Sequence, residues 1–195
     1  MKKKPEIADL RIRVTKQVLK DSLIGLMETK SILDISIKQI CEAAGISRST
    51  FYTYYKDQYD LLEQIEEETL IEFDKLLKNY EPINEMPKAR ELTAMTQDVL
   101  LYIAGNSNSV QVLLSENGES SFQRKIIWFF TDLMQRYYLK SQSVSLLDER
   151  MLKYYSVFVR DGAIGILQEW FKNGMDLSVA DMAKVFSKLV RGALG

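Results

Sequence analysis

The chain contains 195 residues, of which 46% are hydrophobic and 27% are charged, and its formal net charge is −1 at pH 7. This composition is that of a globular protein, and no apolar run approaches the roughly 18 residues that a membrane-spanning helix requires. The chain has no histidine, which removes the most common general base and metal ligand, and its single cysteine excludes an intramolecular disulfide. We therefore expect a cytoplasmic protein that binds no metal and no cofactor.

Charged residues are distributed unevenly along the chain. Residues 1–60 contain 11 basic and 8 acidic side chains, a net of +3, whereas the remainder contains 15 and 19, a net of −4. The first five residues are basic but lead into Glu6 and Asp9 instead of an apolar stretch, so they do not form a secretory signal. A basic N-terminal part joined to an acidic body suits a DNA-binding segment attached to a domain that faces other partners.

The first predicted helix runs from Asp9 to about Met27. Its apolar residues recur at the three-to-four spacing of an amphipathic helix, at Leu10, Val14, Val18, Leu23 and Leu26. We expect this stripe to pack across the back of the two short helices that follow. The connecting segment Lys30–Asp34 is expected to add side chains to the same core, namely Ile32, Leu33 and the next residue, Ile35.

Two short helical patterns joined by a tight turn lie between Ser36 and Gln58. Ser36 and Gln39 form a capping box, in which each side chain satisfies a free backbone N–H of the other residue. Gly45 stands where a left-handed backbone ends the first helix, whose apolar positions are Ile37, Ile40, Cys41 and Ala44. The pattern predicts a helix-turn-helix in which Cys41 is a buried small residue.

The second short helix is predicted from about Arg48 to Tyr54, with Ser47 as its N-cap. Helices this short do not stand alone, so both depend on packing against neighbours. We expect Phe51 and Tyr55 in the core. The residues left free to contact another molecule are Arg48, Ser49, Tyr52, Thr53 and Tyr54.

A longer helix is predicted to begin at Asp57, with Asp60 in its first turn. Its leucines, isoleucine and phenylalanine recur at helical spacing as far as Leu77, and the stretch 80–88 then contains Pro82 and Pro87. We therefore expect a helix-turn-helix domain over residues 1–56, a linker helix over 57–80 and a second helical domain over 81–195.

The rest of the chain also reads as helix. The predicted helices cover about 91–104, 110–115, 120–139 and 147–172, followed by a last helix capped by Ser178 with Asp181. Residues 110–115 alternate like a strand, but no second strand is available to pair with them. Asn117-Gly118 and Asn173-Gly174 mark turns. The sequence therefore predicts an all-α protein, with Met182, Val185, Phe186 and Leu189 of the last helix facing inward.

The last two helices are apolar over more of their circumference than one core face requires. Gly162, Ala163 and Gly165 are small enough to let another helix approach closely. This pattern predicts either a homodimer through the last two helices or close packing against a helix of the same chain. Bulky residues of the body are candidates to line a pocket for a small apolar or aromatic effector, or are simply core: Met95, Tyr102, Trp128, Phe129, Tyr155 and Phe158.

The segment AAGISRSTFYTYYKDQYDLL resembles the DNA-binding signature of the TetR family of bacterial transcriptional regulators. In that signature an Ala-Gly-Val/Ile-Ser turn precedes a recognition helix and then a linker helix with paired leucines. The resemblance covers residues 8–78. It implies an all-helical homodimer that binds a palindromic operator in double-stranded DNA and is commonly released by a small ligand in its C-terminal domain.

The resemblance also implies a contact for each matching position. Base edges are assigned to Arg48, Ser49 and Thr53, and phosphates to Thr50, Tyr52, Tyr54 and Lys56. Ser36 and Lys38 are assigned to the backbone and nearby bases, and the cap Ser47 belongs to the same interface. An arginine at position 48 suits this role because its guanidinium donates a bidentate pair to O6 and N7 of guanine. The sequence departs from the family pattern at Asp57 and at Gln58, where a lysine is common.

These observations lead to three hypotheses of different classes. The first is a ligand-responsive transcriptional regulator, a repressor, that binds its operator as a homodimer. The second is a helical DNA-binding protein regulated by a protein partner through its C-terminal domain, without a small-molecule effector. The third, an enzyme, is disfavoured because the sequence contains no histidine, no Gly-rich phosphate loop and no convergent metal-ligand spacing.

Overall fold

The computed structural model describes residues 4–80, 88–115, 122–129, 132 and 149–194. Helices and the turns between them make up these ranges, which contain no strand, and the all-α prediction is confirmed. The helices are α1 (Lys4–Met27), α2 (Ile37–Ala44), α3 (Arg48–Tyr54), α4 (Gln58–Lys78), α5 (Ala89–Gly105), α6 (Ser107–Leu114), α7 (122–129), α8 (Glu149–Lys172) and α9 (Val179–Leu194). A short 3-10 helix, Ile32–Asp34, lies between α1 and α2. The segment with Pro82 and Pro87, the turn Asn117-Gly118 and most of the predicted helix 120–139 lie outside the described residues.

The predicted caps of α2, α3 and α4 are confirmed, whereas α1 begins at Lys4 and not at the predicted Asp9. The N–H of Ser36 donates to Oε1 of Gln39 at 2.9 Å, and the N–H of Gln39 donates back to Oγ of Ser36 at 3.4 Å. Gly45 ends α2 with a φ of 63°, a conformation that a residue without a Cβ adopts freely. Ser47 caps α3 and Asp57 caps α4. These local hydrogen bonds fix the angle at which α3 leaves the turn.

The N-terminal core is built around α1, and it corrects the predicted stripe of that helix. Leu19, Leu23 and Met27 are fully buried, whereas Leu10 and Val14 are exposed. Leu23 is buried and Leu26 packs against the core as predicted, but the buried face begins only at Leu19, and residues 9–14 are exposed. The elements that pack against α1 are α2, α4 and α6. Phe51 and Tyr55 complete this core as predicted.

The connection between α1 and α2 shows a second difference. Ile32 and Ile35 are buried as expected, but Leu33 is 74% exposed. A 3-10 helix has three residues per turn, so positions 32 and 35 share one face and position 33 points away from it. Leu33 therefore belongs to the surface beside α2 and not to the core.

The C-terminal part packs α5 against α4 and α9, and α8 against α6 and α9. Residues 110–115 lie in or directly after a helix, as predicted, and α6 also packs against α1. The amide Nε2 of Gln168 on α8 donates to the carbonyl oxygen of Leu114 at 2.8 Å and satisfies an acceptor at the end of α6. Helix α6 therefore joins the N-terminal core to the C-terminal one.

Helix α9 buries Met182 and Phe186 as predicted, but not the other two residues expected to face inward. Val185 is partly exposed and Leu189 is 51% exposed. The buried side of α9 instead includes Ser187, whose Oγ accepts a hydrogen bond of 2.8 Å from Oγ1 of Thr93 on α5. This partly buried hydroxyl pair fixes the rotation of α9, and Val185 and Leu189 lie on its exposed side.

Candidate functional site

Helix α3 presents a polar face to the outside and an aromatic face to the core. Phe51 is fully buried, whereas Tyr52 is 58% exposed. Oγ of Ser47 accepts from the N–H of Thr50 at 3.2 Å and lies 2.9 Å from Oγ of Ser49. The exposed residues of this face match the sequence prediction: Arg48, Ser49, Tyr52 and Thr53.

Tyr54 is placed differently from its predicted neighbours. Its ring is half-buried and packs against the N-terminal core. Nζ of Lys16 on α1 lies 5.7 Å from the centre of the Tyr54 ring and 6.0 Å from that of Tyr55, which is within the range of a cation–π contact. Burial raises the pKa of Tyr55 to about 12, as expected of a core residue. Tyr54 is thus only partly available to a partner, and its contact with Lys16 was not foreseen.

An open groove of about 460 Å³ lies beside α3. It gathers predicted residues from three elements: Ser36 and Lys38 at the start of α2, Arg48 and Tyr52 on α3, and Gln58 at the start of α4. Sequence reasoning missed four further lining residues: Leu33 and Asp34 of the 3-10 helix, and Ile35 and Ile37 beside the cap of α2. The sequence did contain a signal for the exposure of Leu33: the isoleucines at 32 and 35 are three residues apart, which is one turn of a 3-10 helix, so position 33 faces away from them.

The lysine side chains around this groove are exposed and are not held by strong ion pairs. Nζ of Lys38 lies 3.7 Å from Oε1 of Glu42, and both side chains are exposed, so this pair contributes little to stability. The backbone N–H of Lys56 donates to Oδ2 of Asp60 at 2.8 Å, while the lysine side chain is exposed. Asp57 accepts from the N–H of Asp60 at 2.9 Å. The departure at Asp57 is therefore explained by its role as a helix cap.

Cys41 is buried in α2, as predicted. Burial raises the pKa of its thiol, and the nearby Arg48 charge only partly opposes that shift. A buried thiol of raised pKa is a poor nucleophile. Cys41 therefore acts as a small packing residue.

A second candidate site is a cavity of about 170 Å³ in the C-terminal part. Its walls come from α4 to α9, and the described lining residues are aliphatic or aromatic apart from one threonine. They are Phe73, Leu77, Leu92, Met95, Thr96, Val99, Leu100, Ile103, Val110, Leu114, Ile126, Phe129, Val159, Ala163, Ile164, Leu167, Phe186 and Val190. Predicted candidates Met95 and Phe129 belong to this lining.

The other four effector candidates do not line this cavity. Trp128 is 71% exposed and Phe158 is also exposed, because the residues that face the cavity are Ile126 and Phe129 on α7 and Val159 on α8. Neighbouring positions on a helix point about 100° apart. Tyr102 and Tyr155 are half-buried but line no part of the cavity.

Tyr102 lies behind the cavity wall. Its ring packs edge-on against Phe73 with centroids 5.4 Å apart, and burial raises the pKa of its phenol although a hydrogen bond with Thr69 opposes the shift. Phe73 in turn lies 6.4 Å from Phe129 between ring centroids. Tyr102 therefore packs against Phe73, which in turn contacts Phe129.

An apolar surface on α8 and α9 remains uncovered by the described parts of the chain. Tyr154 and Phe158 are one turn apart on α8, and a Cβ added to Gly162 or Gly165 would meet no atom within 4 Å. Three more exposed apolar residues lie on these helices: Val157 on α8, and Val185 and Leu189 on α9. Exposed apolar surface of this kind marks a site of interaction.

Comparisons with known proteins agree with this architecture. A family described as "Transcriptional regulator C-terminal region" matches residues 90–192. The uncharacterized HTH-type transcriptional regulator YxbF of Bacillus subtilis (strain 168) is 31% identical over 64 residues, which are 33% of this chain and 15% of that protein. The chain is thus a helix-turn-helix transcriptional regulator and not an enzyme. In particular, it belongs to the TetR family.

Solved structures share the fold at low sequence identity. The fatty acid degradation regulator FadR from Bacillus halodurans has a TM-score of 0.68 at 12% identity, over 90% of this chain and 94% of that one. FadR from Bacillus subtilis, solved in complex with stearoyl-CoA, has a TM-score of 0.66 at 15% identity, over 89% and 96%. A TetR transcriptional regulator from Streptococcus agalactiae 2603V has a TM-score of 0.63 at 19% identity, over 95% and 98%. None of the helices in the described ranges combines the length and apolarity needed to cross a bilayer.

Proposed function

We propose that this protein is a ligand-responsive repressor that acts in the cytoplasm and binds a palindromic operator as a homodimer. Residues 1–56 read the DNA, the linker helix 57–80 connects them to the body, and residues 81–195 dimerise and bind the effector. The observation that carries the proposal is the outward face of α3. It exposes Arg48 and Tyr52 while Phe51 and Tyr55 anchor the opposite face in the core.

In the proposed complex, α3 enters the major groove. Its outer face brings Arg48, Ser49 and Thr53 to base edges, where the guanidinium reads guanine. The phosphates on one side are held by Ser36 and Lys38 at the start of α2, where the positive end of the helix dipole favours an anion. The remaining phosphate contacts come from Thr50, Tyr52 and Lys56, with Ser47 holding the cap and Tyr54 contributing its exposed part.

The homodimer is proposed to form through α8 and α9. A twofold arrangement would cover Tyr154 and Phe158 on one helix and Val185 and Leu189 on the other, all of which are exposed in the single chain. The small residues Gly162 and Gly165 let the helices approach closely. A twofold dimer presents two recognition helices to successive major grooves roughly 34 Å apart, which requires a palindromic site.

The effector is proposed to act through the cavity. Phe73 and Leu77 of the linker helix α4 line it, and so do Val110 and Leu114 of α6, which packs against α1. An occupant of the cavity therefore contacts α4 and α6, both of which pack against the DNA-binding part. If the occupant binds better to a different packing of these helices, it changes the separation of the two recognition helices. FadR from Bacillus subtilis, which shares this fold, was solved with stearoyl-CoA, which supports a ligand in a body of this kind. The cavity also favours a small molecule over the alternative of a protein partner.

The direct test is selection of bound sequences from random double-stranded DNA by the full-length protein at low salt. We expect a palindrome with half-sites about one helical turn apart and two chains per DNA by light scattering. Phe158→Asp should abolish both the dimer and high-affinity binding, whereas Lys153→Asp, an exposed charge reversal on the same helix, should retain more of each. Recovery of no preferred sequence, or of a site without twofold symmetry bound by one chain, would contradict the proposal.

A further inference from the structure

We infer that the effector is an uncharged, hydrocarbon-like molecule about the size of one aromatic ring with a short substituent, held inside the cavity between α4 and α9. This deepens the proposed function and rests on it. The cavity volume is about 170 Å³. For comparison, an engineered cavity of about 150 Å³ lined by Leu, Ile and Phe in another protein stays dry and binds benzene.

The lining determines the charge of the ligand. None of the described lining residues is ionisable, and the one hydroxyl among them, Oγ1 of Thr96, already donates to the carbonyl oxygen of Leu92 at 2.7 Å. A carboxylate or ammonium placed here would lose its hydration without gaining a partner from these residues, which is strongly unfavourable. The ligand portion inside the cavity is therefore neutral and apolar.

The size of the cavity limits the length of the ligand. Its volume of about 170 Å³ is close to that of the cavity of about 150 Å³ that binds benzene. One leaflet of a bilayer, which long acyl chains fill, is about 15 Å thick, so an extended chain of that kind is much longer than a ligand of one ring with a short substituent. This body therefore differs in its ligand from FadR of Bacillus subtilis, which was solved with stearoyl-CoA, although the two share a fold.

Two aromatic rings in the wall favour a ring-shaped ligand. Phe73 and Phe129 are tilted by 45° with centroids 6.4 Å apart, and both line the cavity. Their arrangement offers a third ring an edge-to-face or offset contact, which aromatic pairs prefer. Because Phe73 lies on the linker helix, such a ligand contacts the element that leads to the DNA-binding part.

The test compares three probes on the full-length protein: toluene, benzoate and stearoyl-CoA. Toluene and benzoate have the same ring and differ by the carboxylate, so they isolate charge, while stearoyl-CoA tests length. We expect saturating toluene to raise the unfolding temperature, as a ligand that binds only the folded state does, and the other two to leave it unchanged. Equal or tighter binding of benzoate or stearoyl-CoA, or no binding of toluene, would overturn the inference.

Two variants locate the toluene site. Ala163→Leu on α8 and Val99→Phe on α5 each fill the cavity from a different wall and should weaken toluene binding about tenfold or more. Ala180→Leu, at an exposed position of α9, makes a similar change in size outside the cavity and should leave toluene binding unaltered. If both cavity-filling variants fold and still bind toluene, the toluene site lies elsewhere and the inference is overturned. The comparison of the three probes uses the unaltered protein, so it tests the inference even if neither variant folds.

Binding to the selected operator without any probe separates this inference from the proposed function. A protein that binds its operator but not toluene retains the proposed DNA-binding function and loses the inferred effector class. A protein that binds toluene but no DNA sequence retains the inferred cavity ligand and loses the proposed function. Release of the operator by toluene, and not by benzoate, is the result expected if both hold.

Discussion

Lys125 on α7 holds a buried carboxylate of the linker helix: its Nζ lies 2.9 Å from Oε2 of Glu66, whose side chain is 1% exposed. The same Nζ is 3.7 Å from Oε1 of Glu63, one turn earlier on α4. The residues that follow on α7 include Ile126 and Phe129 of the cavity wall. The ion pair therefore holds α7, which forms one wall of the cavity, against the N-terminal half of α4, which follows the helix-turn-helix.

We predict that Lys125→Met lowers the free energy of unfolding by about 2 kcal/mol, below the range for a fully buried pair because the lysine side chain is 28% exposed. The cost arises because the Glu66 carboxylate stays buried and loses its ammonium partner. Glu63→Gln removes only an exposed partner and should cost less than about 0.5 kcal/mol. Urea unfolding at one fixed protein concentration measures both, and similar losses for the two variants would refute the assigned role of Glu66.

We predict that Arg48→Ala lowers the affinity for the operator by about 1 to 3 kcal/mol and relaxes the preference for guanine at one position of each half-site. The reason is the loss of a bidentate contact to the base. Arg191→Ala, an exposed arginine near the end of α9, removes the same charge away from α3 and is the control. Fluorescence anisotropy with the operator and with single-base variants measures both quantities. An Arg48→Ala protein that keeps its full base preference would show that another residue reads the guanine.

We predict that Gln58→Lys strengthens DNA binding and makes it more sensitive to salt. Gln58 lines the groove beside Arg48 and Tyr52, where the family pattern often has lysine. An added phosphate contact steepens the slope of log K against log salt by about 1. Gln123→Lys, exposed on α7, adds the same charge to the body. If both variants change the slope equally, the effect comes from net charge and not from a contact in the groove.

Local chemistry made the helix ends predictable, while the choice of buried faces was not. The Ser36–Gln39 capping box, the left-handed Gly45 and the Ser47 cap each depend on residues within a few positions of one another. Leu10 and Trp128, in contrast, are exposed because of how neighbouring elements are placed around them. Spacing along one helix predicts that a stripe exists, but its partners decide where around the helix it lies.

The two sites differ in the same way. The exposed face of α3 follows from one short segment, so its residues were predicted almost completely, with the half-buried Tyr54 as the partial exception. The cavity arises where α4 to α9 meet, and residues as far apart as Phe73 and Val190 line it. The pair of Glu66 with Lys125 likewise joins helices distant in sequence. Single-sequence patterns contain no signal for such long-range neighbours.

The last prediction concerns the turn between α8 and α9, which contains two consecutive left-handed residues. Gly174 has a φ of 67°, and Met175 has a φ of 57° although it carries a side chain. Their N–H groups donate to the carbonyl oxygens of Phe171 at 2.9 Å and of Trp170 at 2.8 Å, which closes α8. A residue with a Cβ is strained in this conformation, and glycine is not.

We therefore predict that Met175→Gly is more stable than Met175→Ala by about 1 kcal/mol, since both lose the same side-chain contacts and only glycine relieves the strain. The matched pair at Lys188, exposed within α9, should show the reverse order, with glycine less stable than alanine by about 1 kcal/mol. Urea unfolding of the four variants at equal protein concentration gives the two differences. The same order at both positions would mean that the backbone at Met175 is not held in the left-handed region in solution.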